Sequence, residues 1–316
     1  MLTGERSQDR PIEDLWLDGS TPSEGDLAAA RSLAARIGVF EGLRPFPAVV
    51  QDLVQYIGQP DFKVERVRQM IESDPALAAR IMRVANSVAF RAYEPCTSVS
   101  NAIVRIGATN LAHLSMAMAA MTFFKDLGGV GIRIRDHSAG TAAVARELAF
   151  RMGRSVVASR VLLAGLLHDI GKLLLLQTGD RDYAALLNED LSPNTAHKRE
   201  MKLLGFDHAM LGGHVLSRWN LPEPLPQIVA CHHQPKPTLG GSASGKSGVV
   251  PMAIATLRLA DTIDWLLSQP QDPDPSVLKR LALSHDGEHA GFGEDTLIDL
   301  WEDLRTARAE ARSLFR

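Results

Sequence analysis

Apolar residues recur three or four positions apart along most of the chain, which is the spacing of a helix that buries one face. The pattern is clear in Leu33, Ile37 and Phe40, and the alternation typical of strands is nearly absent between residues 27 and 127. The tripeptide Ser73-Asp74-Pro75 places capping side chains before a proline that suits a first helical turn, so a helix is predicted to begin there. These features predict an all-α fold.

The second half of the chain is also predicted to be helical, beyond a run of glycines at residues 128–131 that we interpret as a hinge. The predicted helices are 136–152, 158–176, 206–219, 223–233 and 252–267. The second of these is apolar nearly all round, and a helix without a polar face belongs in the interior. It is therefore predicted to lie at the centre of a second helical lobe.

The chain of 316 residues is longer than most single cores, which stop growing near about 250–300 residues. We therefore predict a two-lobed helical bundle. The predicted segments are a flexible N-terminal tail (1–26), an N-terminal helical lobe (27–127), a second lobe (128–269) and a C-terminal linker and helix (270–316). The last helix is predicted over 295–316, either closing the second lobe or dimerising through an apolar face.

Charge and composition narrow the classes of partner and compartment. The chain has 34 Lys and Arg against 37 Asp and Glu, a net charge of -3, which disfavours a nucleic-acid partner held through its phosphates. No apolar run is long enough for a membrane span, and the polar N-terminus lacks the features of a signal peptide. The two cysteines cannot form a disulfide framework. A cytoplasmic location is therefore predicted.

Histidines are concentrated in the second lobe, where they accompany acidic residues on predicted helices. Those that occur in a notable order are His137, His168-Asp169, His208, His232-His233 and, last, Asp261. Imidazole and carboxylate groups suit divalent first-row metals, and separate helices can project them toward one point. The other histidines, which receive no role, are His113, His197, His214, His285 and His289.

The string GLLHDIGKLLLL, with His137 before it and His208, His232-His233 and Asp261 after it, resembles the HD superfamily of metal-dependent phosphohydrolases. The closer resemblance is to the HDOD family, the HD-related output domains of bacterial signalling proteins. It rests also on the first-lobe strings LRPFPAVVQDLVQYI, IESDPALAARIMRVANSVAF and SVSNAIVRIGATNLAHLSMAMA, and covers residues 35–267.

The resemblance implies a set of metal ligands and two alternative functions. The ligands implied are His137, His168, Asp169 and Asp261 for the basic HD set, with His208, His232 and His233 as the additional histidines of the binuclear branch. One function is a regulatory module that acts by binding a signalling protein or a small phosphate-containing ligand. The other is a phosphohydrolase or phosphodiesterase with one or two divalent ions, such as iron or manganese, in which Asp169 and Lys172 are catalytic and Lys172 neutralises phosphate charge.

Three further sequence patterns bear on the choice between these functions. The Gly-Tyr-Pro signature of cyclic-di-GMP phosphodiesterases is absent from the sequence, which disfavours that activity. The string GGSASGKS at 240–247 satisfies the pattern of a phosphate-binding loop, but the prolines before it, Pro235 and Pro237, are incompatible with the central strand that such a loop requires. We interpret it as a linker. The Met-rich stretch 113–124 is interpreted as core, with a partner-binding groove as the alternative.

Overall fold

The computed structural model describes residues 23–40, 48–87, 90, 94–123, 127–189, 192–219, 221, 223–234 and 248–314. All regular secondary structure in these residues is helical, as predicted. The helices are α1 Glu24–Ile37, α2 Ala48–Ile57, α3 Val64–Glu72, α4 Pro75–Ala85, α5 Val99–Ile106, α6 Ala108–Phe123, α7 Gly128–Arg151, α8 Ser155–Leu167, α9 Ile170–Gln177, α10 Arg181–Leu186, α11 Pro193–Leu204, α12 His208–Arg218, α13 Leu225–Ala230, α14 Val249–Ser268, α15 Pro275–Ala282, α16 His285–Ala290 and α17 Thr296–Leu314.

Several helices begin at side chains that satisfy otherwise unpaired backbone N–H groups. Asp74 accepts hydrogen bonds from the backbone of Ala76 and Leu77 and has Pro75 after it, as the sequence predicts for α4. At the start of α12, Asp207 accepts from the backbone N–H of Met210. This second cap matters for the site, because it determines where the helix that carries His208 begins.

The long helix α7 is the centre of the second half of the molecule and packs against α8, α14 and α17. Small residues permit the close packing of α7 on α8: a Cβ added at Gly165 would lie only 2.5 Å from the Cα of Ala142. In the first half, α2 packs on α6, and α6 in turn packs on α8. One apolar core runs through both halves, and the predicted boundary near residue 127 stays a prediction.

The helix predicted over 158–176 is wrong in one respect, because the structure has two helices there. Helix α8 ends at Leu167 and α9 begins at Ile170, so His168 and Asp169 lie at the junction. Asp169 has φ -95° and ψ 11°, outside the helical region. The apolar periodicity concealed the break because residues on both sides of it are buried.

The glycine run at 128–131 forms the first turn of α7 rather than a separate hinge. Gly128 has a φ of +65°, which favours glycine, and the following glycines are helical. The chain therefore changes direction at the first glycine alone.

The Met-rich stretch and the C-terminal helix both contribute side chains to the core. Met116 and Met118 are buried in the core, and so are Leu297, Trp301 and Leu304 of α17, which packs on α7 and α15. The GGSASGKS string and residues 1–22 lie outside the described residues. None of the described helices combines the length and the apolar character needed to cross a bilayer.

Candidate metal centre

The break between α8 and α9 places His168 and Asp169 together in the interior. His168 is fully buried and Asp169 is 1% exposed. His168 Nε2 lies 3.4 Å from Asp169 Oδ1. A buried carboxylate without compensation is strongly unfavourable, so the surroundings of Asp169 must supply positive charge or hydrogen-bond donors.

Gly171 allows the start of α12 to approach this junction. A Cβ added at Gly171 would lie 2.0 Å from the backbone carbonyl oxygen of His208, so only glycine permits the observed contact between α9 and α12. The approach places His208 Nε2 3.1 Å from Asp169 Oδ1. The HDIGK string is visible in the sequence, but only the structure shows that its glycine determines where His208 lies.

Helices α7 and α14 contribute His137 and Asp261 from the other side. His137 Nε2 lies 3.0 Å from Asp261 Oδ1 and 3.8 Å from Asp169 Oδ2. His168 Nε2 lies 3.8 Å from the same Asp261 oxygen. These four residues, the basic HD set implied by the resemblance, therefore surround one point.

The histidine pair that follows α13 completes the cluster next to His208. The Nε2 atom of His208 lies 3.4 Å from that of His232 and 3.2 Å from that of His233. The possible ligand atoms form three overlapping groups, each within 4.8 Å: His208, His232 and His233; His137, His168 and Asp169; and His168, His232 and Asp261. All seven predicted ligand residues are thus brought together.

Each of four histidines in the cluster has its Nδ1 atom occupied by an oxygen, which directs Nε2 toward the centre. The pairs are His137 with Asp264 at 2.7 Å, His168 with the Gly165 carbonyl at 2.8 Å, His208 with Glu200 at 2.5 Å, and His232 with the Val229 carbonyl at 2.6 Å. Partners of this kind are typical of metal-binding histidines, because they hold the ring orientation and the tautomer.

The tautomers of His168 and His232 direct an acceptor lone pair of each ring toward the centre. Because a carbonyl oxygen only accepts, Nδ1 of both rings carries the proton, and Nε2 of the neutral ring is an acceptor. Burial is the main cause that lowers the pKa of both histidines. Among the described residues, His168 Nε2 has no hydrogen-bond partner, whereas Asp169 Oδ1 has His208 Nε2 at 3.1 Å. These acceptors converge where a cation fits, and the nitrogen and carboxylate donors suit iron, manganese or zinc.

The cluster contains both neutral and charged groups. Burial, and then the charge of neighbouring histidines, holds the pKa of His232 and His233 well below the usual range. Burial also lowers the pKa of His137 and His208, but carboxylate neighbours outweigh it and raise these pKa values to about 10 and about 9. Metal ligation requires neutral imidazole, so an incoming ion must displace protons from His137 and His208.

Lys172 is close to the cluster but is not one of its ligand groups. Its Nζ donates to Asp169 Oδ2 at 2.9 Å, and its side chain is 12% exposed. Burial lowers the pKa of Lys172, but the charge of Asp169 outweighs this effect and raises it. Lys172 therefore remains charged, and it lines a cavity next to His137.

Two cavities reach the cluster from different directions. One, of about 420 Å³, is lined by His137, Asp169 and Lys172. The other, of about 510 Å³, is lined by His232, His233 and Asp261. A small molecule therefore has space to contact the cluster without rearrangement of the surrounding helices.

Several residues that contact the histidines of the cluster were not predicted from the sequence. The ring of His197, given no role, stacks on that of His233 with centroids 4.7 Å apart. Glu200 is 1% exposed and binds His208, yet nothing in the string HKREMKLL distinguishes it. Asp264 carried a usable signal, because it follows Asp261 by three positions on a helix and so shares its face.

The family model of the HDOD domain matches residues 43–235, more than half of the chain. The chain belongs to the HDOD family. The matched region includes α2 to α13 and ends before α14, which supplies Asp261 to the cluster of this HDOD protein.

Solved structures show the same fold. An HDOD domain protein of unknown function from Geobacter sulfurreducens is 22% identical, with a TM-score of 0.68 over 92% of this chain and 98% of the other. A presumed phosphohydrolase from Shewanella amazonensis is 23% identical, with a TM-score of 0.66 over 90% of this chain and 98% of the other.

A curated relative extends beyond the region that it shares with this chain. An uncharacterized protein of Treponema pallidum is 24% identical over 205 residues, which are 65% of this chain but only 39% of that relative. The likeness therefore concerns one part of a longer protein.

Proposed function

We propose that this HDOD protein has a regulatory role and acts through a metal centre that hydrolyses a phosphate ester. The observation that carries the proposal is the convergence of buried acceptors at Asp169, including the unpaired His168 Nε2. A protein that used these residues for packing alone would leave His168 Nε2 without a donor, at a cost of about 1–3 kcal/mol.

The residues divide into two neighbouring ligand sets. His137, His168, Asp169 and Asp261 would hold one ion, and His208, His232 and His233 would hold a second. A divalent ion at such a site supplies Lewis acidity, which stabilises charge on phosphoryl oxygens and lowers the pKa of a water molecule.

The protein's own side chains position the ions and the substrate. Glu200 and Asp264 hold the rings of His208 and His137 through Nδ1, so that Nε2 of each ring faces the centre. Lys172 balances the charge of Asp169 and presents an ammonium group to the cavity, where it attracts a phosphate.

The test is the metal content of protein purified without chelator, measured by elemental analysis beside Asp169→Asn. The matched control is Asp182→Asn, at an exposed position outside the cluster. We expect stoichiometric metal in the wild type and the control, and its loss in Asp169→Asn. The same samples are assayed with p-nitrophenyl phosphate and bis(p-nitrophenyl) phosphate, and turnover is expected only where metal is present. Absence of metal after addition of Mn²⁺ or Fe²⁺ would contradict the proposal.

A second candidate is regulation by binding without hydrolysis. The observation that favours it is that the family match includes α2 to α6, none of which supplies a ligand to the cluster. Full metal occupancy without turnover of either ester would support this candidate. Substitutions at Asn86 are a poor test of it, because the Asn86 side chain bonds to both the N–H and the carbonyl of Cys96 and so holds the structure together.

A further inference from the structure

The cavity next to His137 is partly built by residues outside the region matched by the family model. Trp265 of α14 and Arg308 and Arg312 of α17 line it, together with Lys172. The C-terminal helix therefore forms part of the space through which a ligand reaches the cluster, in addition to closing the helical bundle.

Gly140 explains how α17 comes so close. A Cβ at Gly140 would lie 1.9 Å from Asp264 Oδ1 and 3.2 Å from Arg308 Cγ. In the absence of that side chain, Arg308 Nε donates to Asp264 Oδ1 at 2.7 Å. Arg312 Nη2 donates to Asp136 Oδ2 at 3.0 Å. Each guanidinium is thus held by one carboxylate and keeps further N–H groups.

Two donors at this cavity have no acceptor in the part of the chain that the structure describes. They are the indole Nε1 of Trp265 and the Nε of Arg312, and both atoms are inaccessible to solvent. Buried donors usually have a partner, and an exception calls for an explanation such as an unseen ligand. Arg308 and Arg312 also keep further guanidinium N–H groups beside the cavity, and an anionic group bound there would supply acceptors for these.

The charges that line the cavity are consistent with an anion once metal is bound. The cations are Arg133, Lys172, Arg308 and Arg312, and the carboxylates are Asp136, Asp169, Glu189, Glu200 and Asp264. All five carboxylates already have a partner: Asp169 with Lys172, Glu200 with His208, Asp264 with His137, Asp136 with Arg312 and Glu189 with Arg199. Divalent ions at the cluster would make the cavity positive overall.

We propose that this cavity binds a second anionic group of the substrate, held by the guanidinium groups of Arg312 and Arg308, while a phosphate lies at the candidate metal centre. This inference rests on the proposed function and narrows it to phosphate esters that carry another phosphate or a carboxylate. Arginine suits either group, because its planar fork pairs with two oxygens.

The test is calorimetric binding of phosphonates, whose C–P bond is not hydrolysed by a phosphoesterase. Butylphosphonate has one anionic group, and 4-phosphonobutyrate and butane-1,4-bisphosphonate have two. The Mn²⁺-loaded wild type is compared with Arg312→Gln and with Arg305→Gln, a control on the same helix that pairs with Asp272 outside the cavity. Circular dichroism and metal content, measured before and after titration, verify that every sample is folded and loaded.

We expect at least one doubly anionic phosphonate to bind the wild type at least about tenfold more tightly than butylphosphonate. This ratio should fall to near one in Arg312→Gln and persist in Arg305→Gln. Preference for a carboxylate or for a second phosphonate identifies the group that the cavity recognises. A wild-type ratio near one, or a ratio that Arg312→Gln leaves intact, would overturn the inference.

The two proposals fail in distinguishable ways. If butylphosphonate binds and the second group adds nothing, the metal centre stands and the anion cavity does not. If butylphosphonate fails to bind while a doubly anionic ligand binds in an Arg312-dependent manner, the anion cavity stands and the phosphohydrolase proposal is contradicted.

Discussion

Two histidines of α12 lie in opposite electrostatic environments. At the first residue of the helix, the charge of Glu200 outweighs burial and raises the pKa of His208 to about 9. In the middle of the helix, burial and then the charge of Arg218 lower the pKa of His214 to about 4. His214 Nε2 has no hydrogen-bond partner among the described residues.

This difference shows that burial alone does not make a histidine functional. The Nδ1 atom of His208 is paired with a buried carboxylate and its Nε2 faces other ligand atoms, whereas burial and the positive charge of Arg218 both penalise the charged form of His214. The partners around each ring, supplied by other helices, decide which histidine can bind a metal.

The largest expected effect comes from removing His208, with removal of His214 as its control. His208→Ala should lose at least one bound metal ion and all phosphoesterase activity, because it deletes one of the three histidine ligands of the second ion site. His214→Ala should retain both, because its ring lies outside the ligand groups. Elemental analysis and ester turnover measure the effect. Equal metal content in the two variants would contradict the different roles assigned to His208 and His214.

The next effect concerns how His208 is positioned. Gly171→Ala would force a Cβ against the His208 carbonyl and separate α9 from α12, lowering the free energy of unfolding by about 3 kcal/mol. Gly129→Ala, which meets no atom within 4 Å, is the control and should be nearly neutral. Urea unfolding compares them. A Gly171→Ala variant as stable as this control would show that the close approach is not required.

A smaller effect should follow from removing the carboxylate behind His208. Glu200→Gln keeps the size of the side chain but loses the charge that orients and polarises the ring. We expect metal affinity to fall by about 10–100-fold, as for other outer partners of metal ligands. Competition with a chelator measures this. Gln substitution of the exposed Glu189 is the control, and a similar loss there would indicate a general charge effect.

The smallest effect is a pH dependence that arises from His214. Its pKa is about 4 in the folded protein and near 6.5 in the unfolded chain, so the unfolded state binds more protons between these values. Stability should therefore fall as pH decreases from about 6.5 to about 4. His214→Gln should remove on the order of 1 kcal/mol of this loss, after allowance for partial exposure. Urea unfolding at pH 7 and pH 4.5 tests it, and identical losses in both proteins would contradict it.

Local features predicted much of the helical architecture. The cap at Asp74 and the periodicity of Leu33 and Ile37 correspond to α4 and α1, because capping and one-sided burial depend on nearby residues. The periodicity failed at His168-Asp169, where a helix break lies inside an apolar stretch. Helices α10, α11, α15 and α16 were not predicted either, since they are short or mostly polar.

The sequence by itself determined the types and order of the candidate ligands, from His137 to Asp261, because metal preference depends on the chemistry of the side chains. It did not indicate Glu200 or Arg312, because ordinary acidic and basic residues carry no local mark of burial, and the one signal for Asp264 was its helical spacing from Asp261. Their roles were decided by tertiary structure: close approaches at Gly140 and Gly171 bring distant helices together and place charges where only packing can pair them.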